Sequence, residues 1–283
     1  MLRVSNPKKL REILRPHLRE NSVIGLVPTM GALHQGHLEL IRSARESCDY
    51  IVVSLFVNPL QFNSKGDLDQ YPRELNEDAE KLMSSGVDVL FCPTEEEMYQ
   101  TIPKTNMSFG SLESVMEGSF RPGHFSGVGI IVSKLFNIVK PKKAFFGLKD
   151  LQQFMIIKSL IRDLSYDIEL VGIPTVREEN GLAMSSRNGR LSAEGIQIAS
   201  NIYRTINKAV KPIRAFNNPE SITLNVKEDF ERIEGLELEY CELVNPETMC
   251  AIETYEGLDY VAICVAAHVE GIRLIDNLYL RLN

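Results

Sequence analysis

Short, nearly continuous apolar runs alternate with amphipathic segments through the first 173 residues. The runs fall at 23–28, 50–57, 87–91, 143–146 and 168–173. Their lengths suit strands rather than helices. Strands apolar on both faces must be covered on both faces, which calls for a parallel sheet between two helical layers. The segments between them supply those layers, with apolar residues at helical spacing over 7–19, 36–48, 74–85, 127–139 and 150–163. Pro7 suits a first helical turn, Leu10, Ile13, Leu14 and Leu18 share one face, and Pro16 predicts a kink or an early end. Gly86 fits a C-cap, and Pro141 follows the end of the helix at 127–139. Crossovers are expected to be right-handed. At Pro174–Asn188 the pattern gives way to a polar loop, and beyond it helices at 192–213 and 219–232 and strands at 236–244, 259–267 and 272–280 predict a smaller α+β unit. The boundary is expected near residue 175. The irregular stretches at 58–72 and 94–125 are long for a compact α/β chain, and long loops tend to be functional.

The most informative of the strand ends is Val27-Pro-Thr-Met-Gly-Ala-Leu-His-Gln-Gly-His37. It joins the run at 23–28 to a helix carrying Leu38, Ile41 and Ala44 on one face. At such a junction free backbone N–H groups and the helix dipole favour an anion. Gly31 and Gly36 permit close approach, and His34 and His37 add donors near neutral pH. The histidines are three apart with a glycine between them, and no Glu stands where a zinc-protease helix carries one, so a zinc site is disfavoured. An anion site that stabilises a phosphoryl group in transfer fits better. The bland alternative is a pair of histidines satisfied by nearby backbone.

Composition limits the other possibilities. A chain of 283 residues with 44% hydrophobic and 24% charged content has enough apolar material for one large domain or two moderate ones. Its net charge of −7 argues against a nucleic-acid surface but leaves room for a local anion site. No apolar run reaches the roughly 18 residues of a membrane span. The charged start, Met1-Leu-Arg-Val-Ser-Asn-Pro-Lys-Lys, has no apolar signal core, so a cytoplasmic protein with no membrane partner is expected. Five cysteines (48, 92, 241, 250 and 264) form no CxxC pair and read as buried free thiols.

Four further segments carry chemistry-bearing residues. Asn58-Pro-Leu-Gln-Phe62 follows the second apolar run, where Asn58 and Gln61 can each donate and accept, or form a solvated turn. Arg121-Pro-Gly-His-Phe-Ser-Gly-Val-Gly129 reads equally as a flexible loop or as a lid over a site. In Phe146-Gly-Leu-Lys-Asp-Leu-Gln-Gln153, Lys149 can meet a phosphate, Asp150 can cap the following helix, and Gln153 lies one turn on along the same face. Met184-Ser-Ser-Arg-Asn188 offers two hydroxyls and a guanidinium suited to a triphosphate, though a lone Ser-Ser-Arg is as readily a solvated loop.

In this order, an early HxGH sequence and a late Ser-Ser-Arg loop resemble the nucleotidyl-transferring Rossmann superfamily. Pro28–His37, Val57–Phe62, Arg121–Phe125, Lys149-Asp150 with Gln152-Gln153, and Met184–Asn188 together resemble the pantothenate synthetase (pantoate–β-alanine ligase) family over essentially the whole chain. The resemblance implies a Rossmann-like nucleotide- and pantoate-binding domain at 1–175 and a smaller α+β domain at 176–283 that closes over the ATP site. It implies ATP-dependent condensation of pantoate with β-alanine through pantoyl adenylate, releasing pyrophosphate and AMP. ATP would be contacted by Met30, Gly31, Ala32, Leu33, His34, Gln35, Gly36 and His37, by Gly147, Leu148, Lys149 and Asp150, and by Val176, Met184, Ser185, Ser186 and Arg187. His37 would be the proton donor, with His34, Lys149, Ser185, Ser186 and Arg187 meeting the charge that develops on phosphorus. Gln61 would touch both pantoate and β-alanine, Gln153 would touch pantoate, and Asn58 and Arg121 would shape the acid pocket and its cover. Mg2+ would travel with the triphosphate without a dedicated protein site, and the family likeness suggests a homodimer.

Two residues depart from the family pattern: Leu148 stands where a Glu commonly precedes Lys-Asp, and Leu151 where an aromatic commonly precedes Gln-Gln. Both leave Lys149, Asp150 and Gln153 in place. The competing readings are a sister adenylyltransferase that keeps the nucleotide in its product and a non-catalytic nucleotide-binding module. The first has no use for the amides of Asn58, Gln61 and Gln153.

Overall fold

The structure is a computed structural model describing residues 1–63, 65–69 and 71–282, so Ser64 and Gln70 of the long 58–72 stretch lie outside the described residues. Strands β1 (Leu2–Val4), β2 (Ile24–Thr29), β3 (Tyr50–Leu55), β4 (Val89–Phe91), β5 (Lys143–Gly147) and β6 (Glu169–Ile173) form one sheet. All neighbours are parallel, in the order β1-β4-β3-β2-β5-β6. The chain leaves β2 towards β3 on one side and later returns to β5 on the other. The carboxyl ends of β2 and β5 therefore flank a switch point, the place where open α/β sheets bind ligands.

The helices are α1 (Pro7–Arg19), α2 (Gln35–Ser47), α3 (Lys65–Asp69), α4 (Leu75–Ser84), α5 (Glu95–Met98), α6 (Glu117–Phe120), α7 (His124–Val139), α8 (Leu151–Asp163), α9 (Ala193–Lys208), α10 (Val210–Arg214) and α11 (Pro219–Glu231). One apolar cluster packs α1, α7 and α8 against the sheet, and a second packs α2 and α4. Burying both faces explains why β2 and β3 read as unbroken apolar runs.

Several boundaries differ from expectation. Pro16 does not end α1, because Leu10 and Leu14 are fully buried and hold the helix through its last turn. The 192–213 helix divides at Ala209 into α9 and α10. The stretch 94–125, which reads as irregular, contains α5, a 3-10 turn at Gly110–Glu113 and α6. Strand β1 has three residues and buries only Val4, too short a run to show periodicity. The five cysteines are free, but only Cys241 and Cys264 are buried, while the other three are half-buried.

Strands β7 (Leu236–Val244), β8 (Tyr260–Val269) and β9 (Ile272–Arg281) form a separate antiparallel sheet. Glu270 and Gly271 connect β8 to β9 with φ of 52° and 72°, the left-handed pair that a two-residue hairpin needs. An apolar cluster spanning Leu182 to Leu274 packs this sheet on α9 and α11. Another joins Leu112, Phe125, Leu151 and Met155 to Val244, Met249, Ala262 and Cys264. The second sheet therefore leans on α8 beside the switch point.

Candidate active site

After β2, Gly31 and Ala32 adopt φ of 90° and 51° in succession, turning the chain into α2. Ala32 is in a region that costs an L-residue about 1 kcal/mol or more, so the turn needs outside support. Helix α4 gives it. The fully buried Asp78 carboxylate accepts the N–H of Ala32 at 2.9 Å and of Leu33 at 2.8 Å, and the Lys81 Nζ donates to the Leu33 carbonyl at 2.9 Å. The sequence reading missed both residues. The signal was a carboxylate one turn before Leu82 on the buried face of α4.

The turn also corrects the expectation of free N–H groups. Besides those held by Asp78, the His34 N–H donates to His37 Nδ1 at 3.3 Å, and the Gly36 N–H donates to His34 Nδ1 at 3.1 Å. Because each Nδ1 accepts, each ring carries its proton on Nε2. Burial and Lys149 lower the His34 pKa to about 4. Burial and the neighbouring His34 lower that of His37 to about 3. At neutral pH the pair thus presents two uncharged Nε2–H donors, with ring centres 4.2 Å apart.

Beyond β3, Asn58 is only 1% exposed and not a solvated amide. Its Oδ1 accepts from the Leu60 N–H and the Tyr99 hydroxyl, and its Nδ2 donates to Gln61 Oε1 and the Gly127 carbonyl. With its acceptor and both donors engaged, Asn58 fixes the orientation of Gln61. The Gln61 carbonyl accepts from His124 Nδ1 at 2.7 Å and from Arg121 at 3.3 Å. Burial and Arg121 lower the His124 pKa to about 4, so this ring is also neutral. Glu117 stands 4.0 Å from Arg121 and accepts from Tyr240 and both terminal nitrogens of Arg273.

The Gly147–Asp150 turn lies at the end of β5. Asp150 occupies the N-cap position of α8, but among the described residues its side chain makes no capping hydrogen bond. It lies instead in the cavity wall, 3.8 Å from the Lys149 Nζ. The adjacent glutamines diverge. Gln152 is buried and binds the Glu117 N–H and the Leu112 and Val115 carbonyls, whereas Gln153 reaches the cavity. After β6 the chain makes a short hairpin in which Arg177 bridges Ala183 and the Met184 N–H donates to the Val176 carbonyl. Its second arm runs into Met184–Arg187, where the Ser185 hydroxyl accepts the Arg187 N–H.

Two cavities meet here. The first, of about 240 Å3, is walled by Met30, His34, Gly36, His37, Asn58, Gln61, Gly147, Lys149, Asp150, Gln153, Val176, Met184, Ser185, Ser186 and Arg187. The second, of about 90 Å3, is walled in part by Arg121, His124, Glu117 and Tyr240. Met30, Gln61, Lys149, Asp150, Gln153 and Arg187 border both. Gly31, Ala32, Leu33, Gln35 and Leu148, expected to contact ATP, lie outside both walls, in the turns that carry His34 and Lys149.

The model of the Pantoate-beta-alanine ligase family matches residues 3–279. The chain is 44% identical to the pantothenate synthetase of Cytophaga hutchinsonii over 98% of its length and 99% of that protein. It is 46% identical to that of Bacteroides fragilis over 90% of each. The crystal structure of pantothenate synthetase from Thermus thermophilus superposes with a TM-score of 0.91 at 39% identity, covering 98% of this chain and 99% of that one. A pantoate-β-alanine ligase from Francisella tularensis, complexed with βγ-ATP and β-alanine, gives a TM-score of 0.80 at 35% identity over 98% and 97% of the two chains. A match that runs nearly end to end, on a fold whose loops gather at one switch point, makes this chain a member of the pantoate–β-alanine ligase family.

Proposed function

We propose that the chain condenses (R)-pantoate with β-alanine at the expense of ATP, with both half-reactions at the junction of the two cavities. The observation that carries this reading is the shared wall. Gln61 and Gln153, suited to a hydroxy acid, border the same space as Lys149 and Arg187, suited to phosphates. In the first half-reaction a pantoate carboxylate oxygen bonds to the α-phosphorus, and pyrophosphate leaves with the electron pair of the broken P–O bond. In the second, the β-alanine nitrogen bonds to the acyl carbon, AMP leaves with the electron pair of the C–O bond, and the nitrogen loses a proton.

The residues contribute position and charge. Negative charge growing on the phosphoryl oxygens would meet the Nε2–H of His34 and His37, the Lys149 ammonium, the Arg187 guanidinium and the hydroxyls of Ser185 and Ser186. Neutral histidines suit this task, since each donates without first taking up a proton. Gln61 and Gln153 would hold pantoate, and Gln61 would also hold the incoming amine, within the pocket that Asn58 and Arg121 shape. Mg2+ would enter with the triphosphate, coordinated by phosphate oxygens, water and the Asp150 carboxylate, an oxygen ligand of the kind Mg2+ prefers. On this reading residues 1–175 bind the substrates, 176–283 close over ATP, and the enzyme is a cytoplasmic homodimer. The closure over ATP and the homodimer rest on the family likeness, the boundary on the change of pattern near residue 175, and the cytoplasmic assignment on the charged first residues.

The test is ATP–pyrophosphate exchange with and without pantoate, followed by AMP release on adding β-alanine. Exchange that ignores pantoate, or an absence of amide product, would overturn the reading.

A further inference from the structure

Two adjacent residues of β9 reach both phosphate-facing segments, although β9 belongs to the second sheet. The Asn277 side-chain amide donates to the Leu148 carbonyl at 2.9 Å and the Lys149 carbonyl at 2.8 Å. Asp276 takes a two-pronged contact from Arg177 at 2.6 and 3.0 Å, and Arg177 also donates to the Gly181 and Asn277 carbonyls. The Arg177 guanidinium lies 3.8 Å from the centre of the Tyr203 ring, which fixes its plane. Arg177 in turn is paired with Ala183, the residue before the Met184–Arg187 arm.

Asp276 and Asn277 are buried, at 4% and 6% exposure. Packing alone would favour apolar residues at such positions, because burying polar groups costs free energy unless each finds a partner. Their partners here are the backbone that carries Lys149 and the hairpin that carries Arg187. Lys149 lies in the β5–β6 crossover and Arg187 in the segment that leaves β6, and β9 binds both at a common reference.

We propose that Asn277 and the Asp276–Arg177 pair are positioning residues that set the spacing between Lys149 and Arg187 for the triphosphate. This rests on the reading above that both cations meet ATP. It assigns a function to the second sheet, that of a gauge for adenylation rather than for amide formation. Once pyrophosphate has left, the spacing of the two cations matters less, so the two half-reactions should respond differently.

The experiment compares the unmodified enzyme with Asn277→Ala and Arg177→Lys in both half-reactions. Arg177→Lys keeps the charge but loses the two-pronged geometry. Each variant is expected to raise the KM for ATP in pantoate-dependent pyrophosphate exchange by roughly tenfold, the scale of one or two lost hydrogen bonds. Amide formation from isolated pantoyl adenylate should stay within about threefold of the unmodified rate. Equal losses in both half-reactions mean general damage and overturn the proposal, as does an unchanged KM for ATP in either folded variant. Should Asn277→Ala fail to fold, Arg177→Lys decides alone. Failure of the unmodified enzyme to exchange in response to pantoate would instead sink the underlying reading, and so stands apart.

Discussion

At His37 the ring has little access to its charged form, since burial and the adjacent His34 bring the pKa to about 3. Its value to the site is a fixed Nε2–H, held in that tautomer by the His34 N–H on its other nitrogen. Replacing His37 by Ala should lower adenylate formation by about 100-fold or more, the scale of losing one preorganised donor to a developing oxyanion. The melting temperature should move little, and a large fall with unchanged turnover per folded molecule would reassign His37 to a structural task. Asp78 calls for the opposite pattern. Asp78→Asn sets an amide donor against one of two backbone N–H groups, at a cost of about 1–3 kcal/mol in stability. Thermal unfolding should report it, together with a higher KM for ATP as the turn carrying the histidines loosens.

At the scale of elements, α7 and the Gln61 turn meet backbone to backbone. A Cβ on Gly127 would stand 2.3 Å from the Leu60 carbonyl oxygen, closer than any real contact. Gly127→Ala should therefore push the turn outward, costing about 1–3 kcal/mol and raising the KM for pantoate more than that for ATP. Steady-state kinetics with each substrate varied in turn would reveal the order of effects, and equal changes in both would contradict it. The parallel strands and their helices were legible because burial on both faces writes long apolar runs. The His34–His37 turn, the Gln61 turn, the Lys149 turn and the Ser-Ser-Arg arm were legible because each follows such a run. What could not be read were contacts between distant segments. Nothing near Glu117 announces Arg273, 156 residues away, and nothing near Lys149 announces Asn277. Such pairs depend on how the second sheet leans on α8, which local periodicity does not encode. At Asp150 local spacing left two uses open, a helix cap or the site, and among the described residues the side chain makes no capping hydrogen bond and lies in the cavity wall.

Across the whole molecule, three histidines are held neutral by burial, with pKa values near 4, 3 and 4 for His34, His37 and His124. In the unfolded chain each takes up a proton near pH 6.5. Below that pH the unfolded state binds more protons than the folded one, so stability is lost as pH falls towards 4 and is fully present above about 6.5. For the buried His124 the slope approaches about 1.4 kcal/mol per pH unit. The melting temperature should drop between pH 6.5 and 4.5, and His124→Gln should flatten part of that slope. Identical pH profiles for the two proteins would refute the assignment. The occupied turn after β2 has a wider implication. The Asp78 carboxylate already accepts from the Ala32 and Leu33 N–H groups, so the turn after β2 does not offer those two donors to a stray inorganic anion. Recognition of phosphate at this site then falls to the imidazoles of His34 and His37 and to the cations of Lys149 and Arg187, which share its wall.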